Sequence, residues 1–288
     1  MVRLLSVLAA AWLASACAPR VAQGGGQRTQ EVTTDTAKFW ILYGPEDADS
    51  ALKVRQALEV AAPRIARWGG LRYPVTITIH PSHDALEAAV HRQNYDWLRA
   101  WARFQTIELQ SPRTWSFFGG SQKKLEELVT HELTHCAMYQ LAGDDLTWMY
   151  KEIPRWYAEG VASVTAGQGY RYGGVEVLFD FYQDKLPGSG DGDPGRTRAA
   201  AYVAPQPGDP IVDPDTLYQD QSHVVYGAAH HAAEFLVARY GEGRVLEVMK
   251  LMGTGLRFPA AFREAIGITD AEFAADFRRY VVWQGWRR

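Results

Sequence analysis

Between Tyr73 and Pro81 (YPVTITIHP) apolar and polar residues alternate, with Val75, Ile77 and Ile79 on one side and Thr76, Thr78 and His80 on the other. A period of two sends each set to its own face, so the segment predicts a half-buried β-strand. The same period runs from Ala102 to Gln110 (ARFQTIELQ) and stops at Ser111-Pro112. A short apolar run, Phe39 to Tyr43 (FWILY), ends at Gly44-Pro45 and predicts another strand. Asp47 to Trp68 carries helical spacing, with Pro63 expected to kink the helix or end it early. Asp84-Ala85-Leu86-Glu87 opens a further helix with a capping-box pattern. Residues 38–120 therefore predict a small α+β lobe.

From Gln122 the period changes. Leu125, Leu128, Val129 and Leu133 line one face of a helix running to about Gln140 and ended by Gly143 and Asp144-Asp145. Pro154 starts a second helix, Arg155 to Ala166. Residues 167–220 read as irregular, since GSGDGDPG at 188–195 and the proline-rich 205–214 cannot pack a core. This loop is either a lid over a cleft or an inert insertion. Four more helices follow at 224–240, 243–252, 259–266 and 270–283. The fold class is α+β: a small N-terminal mixed sheet with helices, then a mainly helical lobe over 121–285, with the Gln122 helix between them.

The first residues belong to neither lobe. Arg3, the apolar run Leu4 to Leu13 and the small residues before Cys17 read as a signal peptide, 1–17, too short for a comfortable membrane span. Ala14-Ser15-Ala16-Cys17 resembles the lipobox of bacterial lipoproteins, with Ala14 where Leu or Val is usual. That reading makes Cys17 a lipid anchor; cleavage after Ala16 or Ala18 would instead release a soluble protein. Export from a bacterial cytoplasm to the periplasm or cell surface is expected either way, with anchoring preferred. Residues 18–37, rich in Gly, Gln and Thr, read as a flexible tether to a domain spanning 38–285. Cys17 and Cys136 are the only cysteines, so no disulfide framework is expected. The net charge of -3 and the scattered basic residues argue against nucleic-acid binding.

The chemistry is concentrated in His131-Glu132-Leu133-Thr134-His135, an H-E-x-x-H pattern on the Gln122 helix. Residues four apart share a helix face, so both imidazoles can reach one Zn2+. Glu132 follows the first ligand directly and can act as general base on a zinc-activated water. A catalytic zinc also needs a third protein ligand, and Asp144, Asp145, Glu152 and Glu159 lie downstream. Glu159 sits just over one turn into the helix that Pro154 starts, beside the small Gly160 and Ala162 that allow close helix approach. His223, Tyr226 and His230 form a stripe on one later helix and are candidates to stabilise an oxyanion.

H-E-L-T-H followed by P-R-W-Y-A-E-G-V-A resembles the gluzincin zinc metallopeptidases, specifically the bacterial peptidase-MA-like family with its P-x-W-x-x-E-G-x-A segment. The resemblance implies a zincin-like fold, one Zn2+ per chain held by His131, His135 and Glu159, catalysis by Glu132, and a polypeptide substrate. It also implies an oxyanion donor at about the position of Tyr226, the first choice, or His223, the second. Many gluzincins carry Asp four residues after the glutamate ligand; here that residue is Ser163, so a hydroxyl, a water or another carboxylate must orient the histidines, and Glu234 is one candidate. Phe104 to Gln110 corresponds to the family's substrate-binding edge strand, with Glu108 as its polar side. Arg103 to Leu109 lacks the Gly/Ala-Met-Glu-Asn type segment of the aminopeptidase branch, so an endopeptidase is preferred. Trp97, Trp101, Trp115, Phe117 and Phe118 are expected to pack between the lobes, the alternative being the lining of a hydrophobic cleft. Two other functions stay open: a non-catalytic binding or assembly lipoprotein retaining the fold, and zinc hydrolysis of a non-peptide amide.

Overall fold

A computed structural model describes residues 26–116, 120–179, 208–217 and 221–285. The expected signal peptide with Cys17, together with Phe117 and Phe118, lies outside the described residues.

Five strands form one mixed sheet: β1 (Arg28–Thr33), β2 (Lys38–Tyr43), β3 (Val75–His80), β4 (Ala100–Ala102) and β5 (Thr106–Gln110). Their spatial order is β1-β2-β3-β5-β4, with the central pairs parallel and both outer pairs antiparallel. Ile41, Ile77 and Ile107 stand in register across β2, β3 and β5 and are almost wholly buried. They share a core with Val54, Leu58 and Ile65 of α1 (Ala48–Ala66), so the alternation read from the sequence does point its apolar side inward. Helix α2 (His83–Val90) connects β3 to the β4–β5 hairpin.

Several expectations are corrected here. The tether does not extend to residue 37, because Arg28–Thr33 pairs antiparallel with β2. Only Val32 of β1 is buried, so this outer strand carries almost no hydrophobic signature. The strand expected over 102–110 is a hairpin, with Arg103 N–H donating to Thr106 O at 2.8 Å in its turn. A two-residue period is blind to such a reversal when polarity keeps alternating through the turn. The edge of the sheet is thus β4, and Phe104–Gln110 does not provide it. Ser82 caps α2 by accepting from Ala85 N–H, displacing the expected box that began at Asp84. Pro63 does not end α1, which runs on to Ala66.

Further helices among the described residues include α3 (Gln122–Ala142), α4 (Arg155–Ala166), α5 (Ser222–Tyr240), α6 (Glu242–Gly253), α7 (Phe258–Ile266) and α8 (Asp270–Gly285). Trp156, Tyr157, Phe258, Phe262, Phe273 and Phe277 anchor their shared core. Helix α3 lies between the halves: Leu125, Val129, Leu133 and Cys136 face the sheet core, while Met138, Leu141 and Ala142 face the helical one. Helices α4 and α5 touch through Gly160, where a Cβ would run into the Ala229 carbonyl and come within 2.8 Å of the Ala233 Cβ. The segment expected to be irregular over 167–220 contains regular pieces among its described residues, including 3-10 turns at Gly169–Arg171 and Pro214–Thr216. A buried ion pair, Arg278 to Asp209 at 2.9 Å, ties its far end to α8.

Candidate metal centre and active site

His131 and His135 leave the same face of α3, and their Nε2 atoms stand 3.1 Å apart. Pro154 caps α4 with extended backbone geometry, which aims the helix so that Glu159 reaches the histidine pair. Its Oε2 lies 3.2 Å from His131 Nε2 and 3.6 Å from His135 Nε2. Four-coordinate zinc with ligands at 2.0–2.1 Å separates its ligand atoms by roughly 3.3 Å. The three spacings scatter around that value, so this donor set fits zinc with shifts of a few tenths of an ångström. Among the described residues no other group of metal-type side chains converges in this way. Asp144, Asp145 and Glu152 are elsewhere: Asp144 accepts from the Leu146 and Thr147 N–H groups of its own turn, Asp145 is exposed, and Glu152 pairs with Arg257.

The electrostatics separate the two glutamates. Burial pushes Glu159 upward, but the charges and hydrogen bonds of His135 and His131 outweigh it and hold the carboxyl well below the usual range. Glu132, equally buried and turned away from those hydrogen bonds, is pushed up to about 7 by desolvation; the opposing pull of His131 and of the Ala102 N–H does not cancel that. Glu132 lies within reach of the Ala102 N–H on the edge strand β4.

His131 is oriented by a residue that sequence reasoning missed. Its Nδ1 lies 3.0 Å from Gln168 Oε1, and both side chains are buried. Gln168 follows Gly167, which takes φ +69 after the last turn of α4, and its N–H returns to Ser163 O at 3.0 Å. This helix-ending turn fixes where the amide points. The same loop is pinned to α3 a second time, because buried Glu127, one turn before His131, accepts from Tyr170 Oη and Arg171 Nη2. A Gly just past a helix end is visible in the sequence; that the next side chain would turn back to a histidine is not.

The other expected orienting groups act elsewhere. Ser163 Oγ donates to Gly160 O and bonds His230 Nδ1 at 2.9 Å. Glu234 pairs with His230 and His231. His230 is buried against Tyr172 and Gly169, so it drops out of the cleft-facing stripe. Burial lowers its affinity for a proton, with Glu234 opposing. His135 stacks on Tyr139 with ring centroids 6.1 Å apart, and its Nδ1 is buried with no partner among the described residues.

Two cavities meet at Glu132 and His131. The larger, about 700 Å³, has Trp97, Trp115, Tyr172, His223 and Tyr226 in its wall. The smaller, about 300 Å³, is bounded by Trp97, Trp101, Tyr139, Glu159 and Tyr226. Tyr226 borders both, with its ring edge-on to Trp97 at 6.3 Å, whereas His223 borders only the larger. The tryptophans expected between the lobes thus line the cleft, and Trp97 is 43% exposed there. Glu108 bonds His80 at 2.7 Å on the sheet, confirming its place on the polar side of the strand.

Neither a protein-family model nor a curated protein matches the chain. The solved structures to which it is similar include M1 zinc metallopeptidases. They include the M1 zinc metallopeptidase from Deinococcus radiodurans, at 14% identity and a TM-score of 0.40 over 89% of this chain and 51% of that one. A two-domain M1 zinc metallopeptidase mutant bound to L-arginine matches at 14% identity and a TM-score of 0.42, with the same coverage. An aminopeptidase N family protein from Idiomarina loihiensis matches at 9% identity and 0.38, over 89% and 41% of the two chains. The chain spans about half the length of the first of these structures. The chemistry proposed below rests on the geometry of the site itself.

Proposed function

We propose that this chain is a zinc-dependent peptidase, an endopeptidase, with His131, His135 and Glu159 as metal ligands and Glu132 as general base. The observation that carries the reading is the convergence of two imidazole nitrogens and one carboxylate oxygen at tetrahedral spacing, beside a separate buried carboxylate that faces a cleft. Bound zinc would supply Lewis acidity toward a scissile carbonyl and acidify the attacking water. Glu132, steadied by the Ala102 N–H, takes the proton from that water and passes it to the leaving amine. Tyr226, at the junction of the two cavities, donates its hydroxyl hydrogen to the developing oxyanion. His223, farther along the larger cavity, is the second candidate for that task. Strand β4 pairs with β5 on one side only, so an extended peptide can add along its other edge by main-chain hydrogen bonds. Two cavities bordering Glu132 leave room for more than a terminal residue and favour cleavage within a chain.

Purified protein tests this directly. Wild type should hold one zinc per chain and cleave a peptide library. Glu132→Gln should keep the zinc and lose cleavage by about 10²–10⁴-fold, while His135→Ala should lose both. Cleavage that survives Glu132→Gln or complete chelation would refute the assignment.

The proposal includes export, with Cys17 as a lipid anchor, on the strength of the N-terminal sequence. Labelled fatty acid should enter the wild-type protein in a bacterial host and not Cys17→Ser; equal labelling of the two would exclude the anchor.

A further inference from the structure

The two arms of the cleft differ in charge. The larger arm has Arg99, Lys124 and Arg171 in its wall, and among its described lining residues Glu132 is the sole carboxylate. Arg171 is neutralised by Glu127. Arg99 is held by neutral acceptors, donating from Nη1 to Asp96 O at 2.7 Å and Leu98 O at 2.8 Å. Neither Arg99 nor Lys124 forms an ion pair with any described residue, and both border the same cavity. In the smaller arm, the one cation, Arg155, is paired with Asp215 and the wall is otherwise aromatic and aliphatic apart from the site's own carboxylates. Among the described lining residues, uncompensated positive charge therefore belongs to the larger cavity alone. A concave, partly dehydrated site strengthens such charges relative to open solvent.

We propose that the larger arm is a subsite for a carboxylate of the substrate, carried by an acidic side chain or by a free C-terminus, with Arg99 and Lys124 as the residues that select it. This deepens the peptidase reading by naming the class of peptide the cleft takes. The fixed guanidinium of Arg99 offers geometry, and the mobile ammonium of Lys124 offers charge without demanding one position. A volume of about 700 Å³ leaves room for more than one side chain, with Trp97 and Trp115 covering the apolar stem of the bound residue.

The test is binding to zinc-loaded Glu132→Gln protein, so that cleavage does not obscure affinity. Fluorescent hexapeptides carry Glu, Gln or Lys at each position in turn, and one parent sequence is made with a free and with an amidated C-terminus. The expected result is a single position at which Glu binds about tenfold tighter than Gln, the worth of one charge-assisted hydrogen bond. If the C-terminal carboxylate is the ligand, the same preference appears between the free and amidated peptides instead. The preference should shrink in high salt, and should vanish or invert in Lys124→Glu. Lys124 is exposed on the first turn of α3, so this change leaves the fold intact. Arg99→Gln provides the second, charge-neutral variant. Affinities equal within twofold across both peptide series, no binding by any peptide, or a preference untouched in the Lys124→Glu, Arg99→Gln double variant would overturn the subsite. Preference in binding with no cleavage by wild type would keep the subsite and reject the peptidase; cleavage without preference would do the reverse.

Discussion

His131 needs two things to serve as a ligand: a lone pair on Nε2 and a proton parked on Nδ1. Gln168 Oε1 can only accept, so it fixes the proton on Nδ1 and frees Nε2 for the ion. It does so as a neutral amide, adding no negative charge beside the metal. Gln168→Ala should weaken zinc binding by about 10–100-fold, measured by competition with a chromogenic chelator. Gln168→Glu should restore most of the affinity, because a carboxylate accepts the same bond; an unchanged affinity in the alanine variant would remove Gln168 from this role. Glu132 makes a second prediction at this scale. Its carboxyl value rises on folding from 4.5 to about 7, so the folded chain binds that proton more tightly than the unfolded chain does. The resulting stability is complete below 4.5 and lost as pH rises through about 7. With the metal stripped, Glu132→Gln should therefore be more stable than wild type at pH 8 by on the order of 1–3 kcal/mol, with the gain disappearing near pH 4. Denaturant melts at the two pH values check this, and a gain of equal size at both would contradict it.

Among the elements, α4 carries Glu159, the proposed third ligand, and depends on Gly160 to reach α5. Gly160→Val should cost about 1–3 kcal/mol by overpacking and should lower zinc affinity as well, since the two helices can part only by moving Glu159. A thermal melt together with a metal titration reads both, and loss of stability with zinc affinity intact would show that α4 yields elsewhere. Element boundaries were largely legible where periodicity is strong: α3, α4 and the last four helices begin and end within a few residues of where the pattern places them. They were hidden where burial is one-sided or turns are tight. Strand β1 buries a single side chain, so nothing distinguished it from a tether. The β4–β5 hairpin kept its polar alternation through Arg103–Gln105, so two short strands read as one long one. The same local logic explains the site. The cluster of His131, His135 and Glu159 was legible because helical spacing and a proline-fixed start are properties of neighbouring residues. Gln168, and the burial of His230 behind the cleft, depend on how separate segments fold back on α3, which no local pattern records.

At the scale of the molecule, the proposed metal site lies where the two halves meet, on α3 and α4. The hairpin that forms one wall of the cleft is fastened to α3 by Gln140, whose Nε2 donates to Phe104 O at 2.8 Å, and by Cys136, whose thiol donates to Arg103 O. The opposite wall, with Tyr226, is fastened to α4 through the contact at Gly160. The three proposed ligands stand on the two helices that carry these walls, His131 and His135 on α3 and Glu159 on α4. Chelation should therefore loosen the molecule along one seam: amide hydrogen exchange should accelerate in α4 and α5 well before it does in β3 and β5. Uniform acceleration would mean that the ion stabilises the chain as a whole and joins no particular parts.

The contact at Gly160 limits motion as well as spacing. Because α4 and α5 meet backbone against backbone there, Glu159, the proposed third ligand, and Tyr226, the proposed oxyanion donor, stand on helices held together at that point. Under the peptidase proposal, opening the cleft between these walls would draw Glu159 away from the two histidines, so the substrate expected is an extended, already unfolded segment.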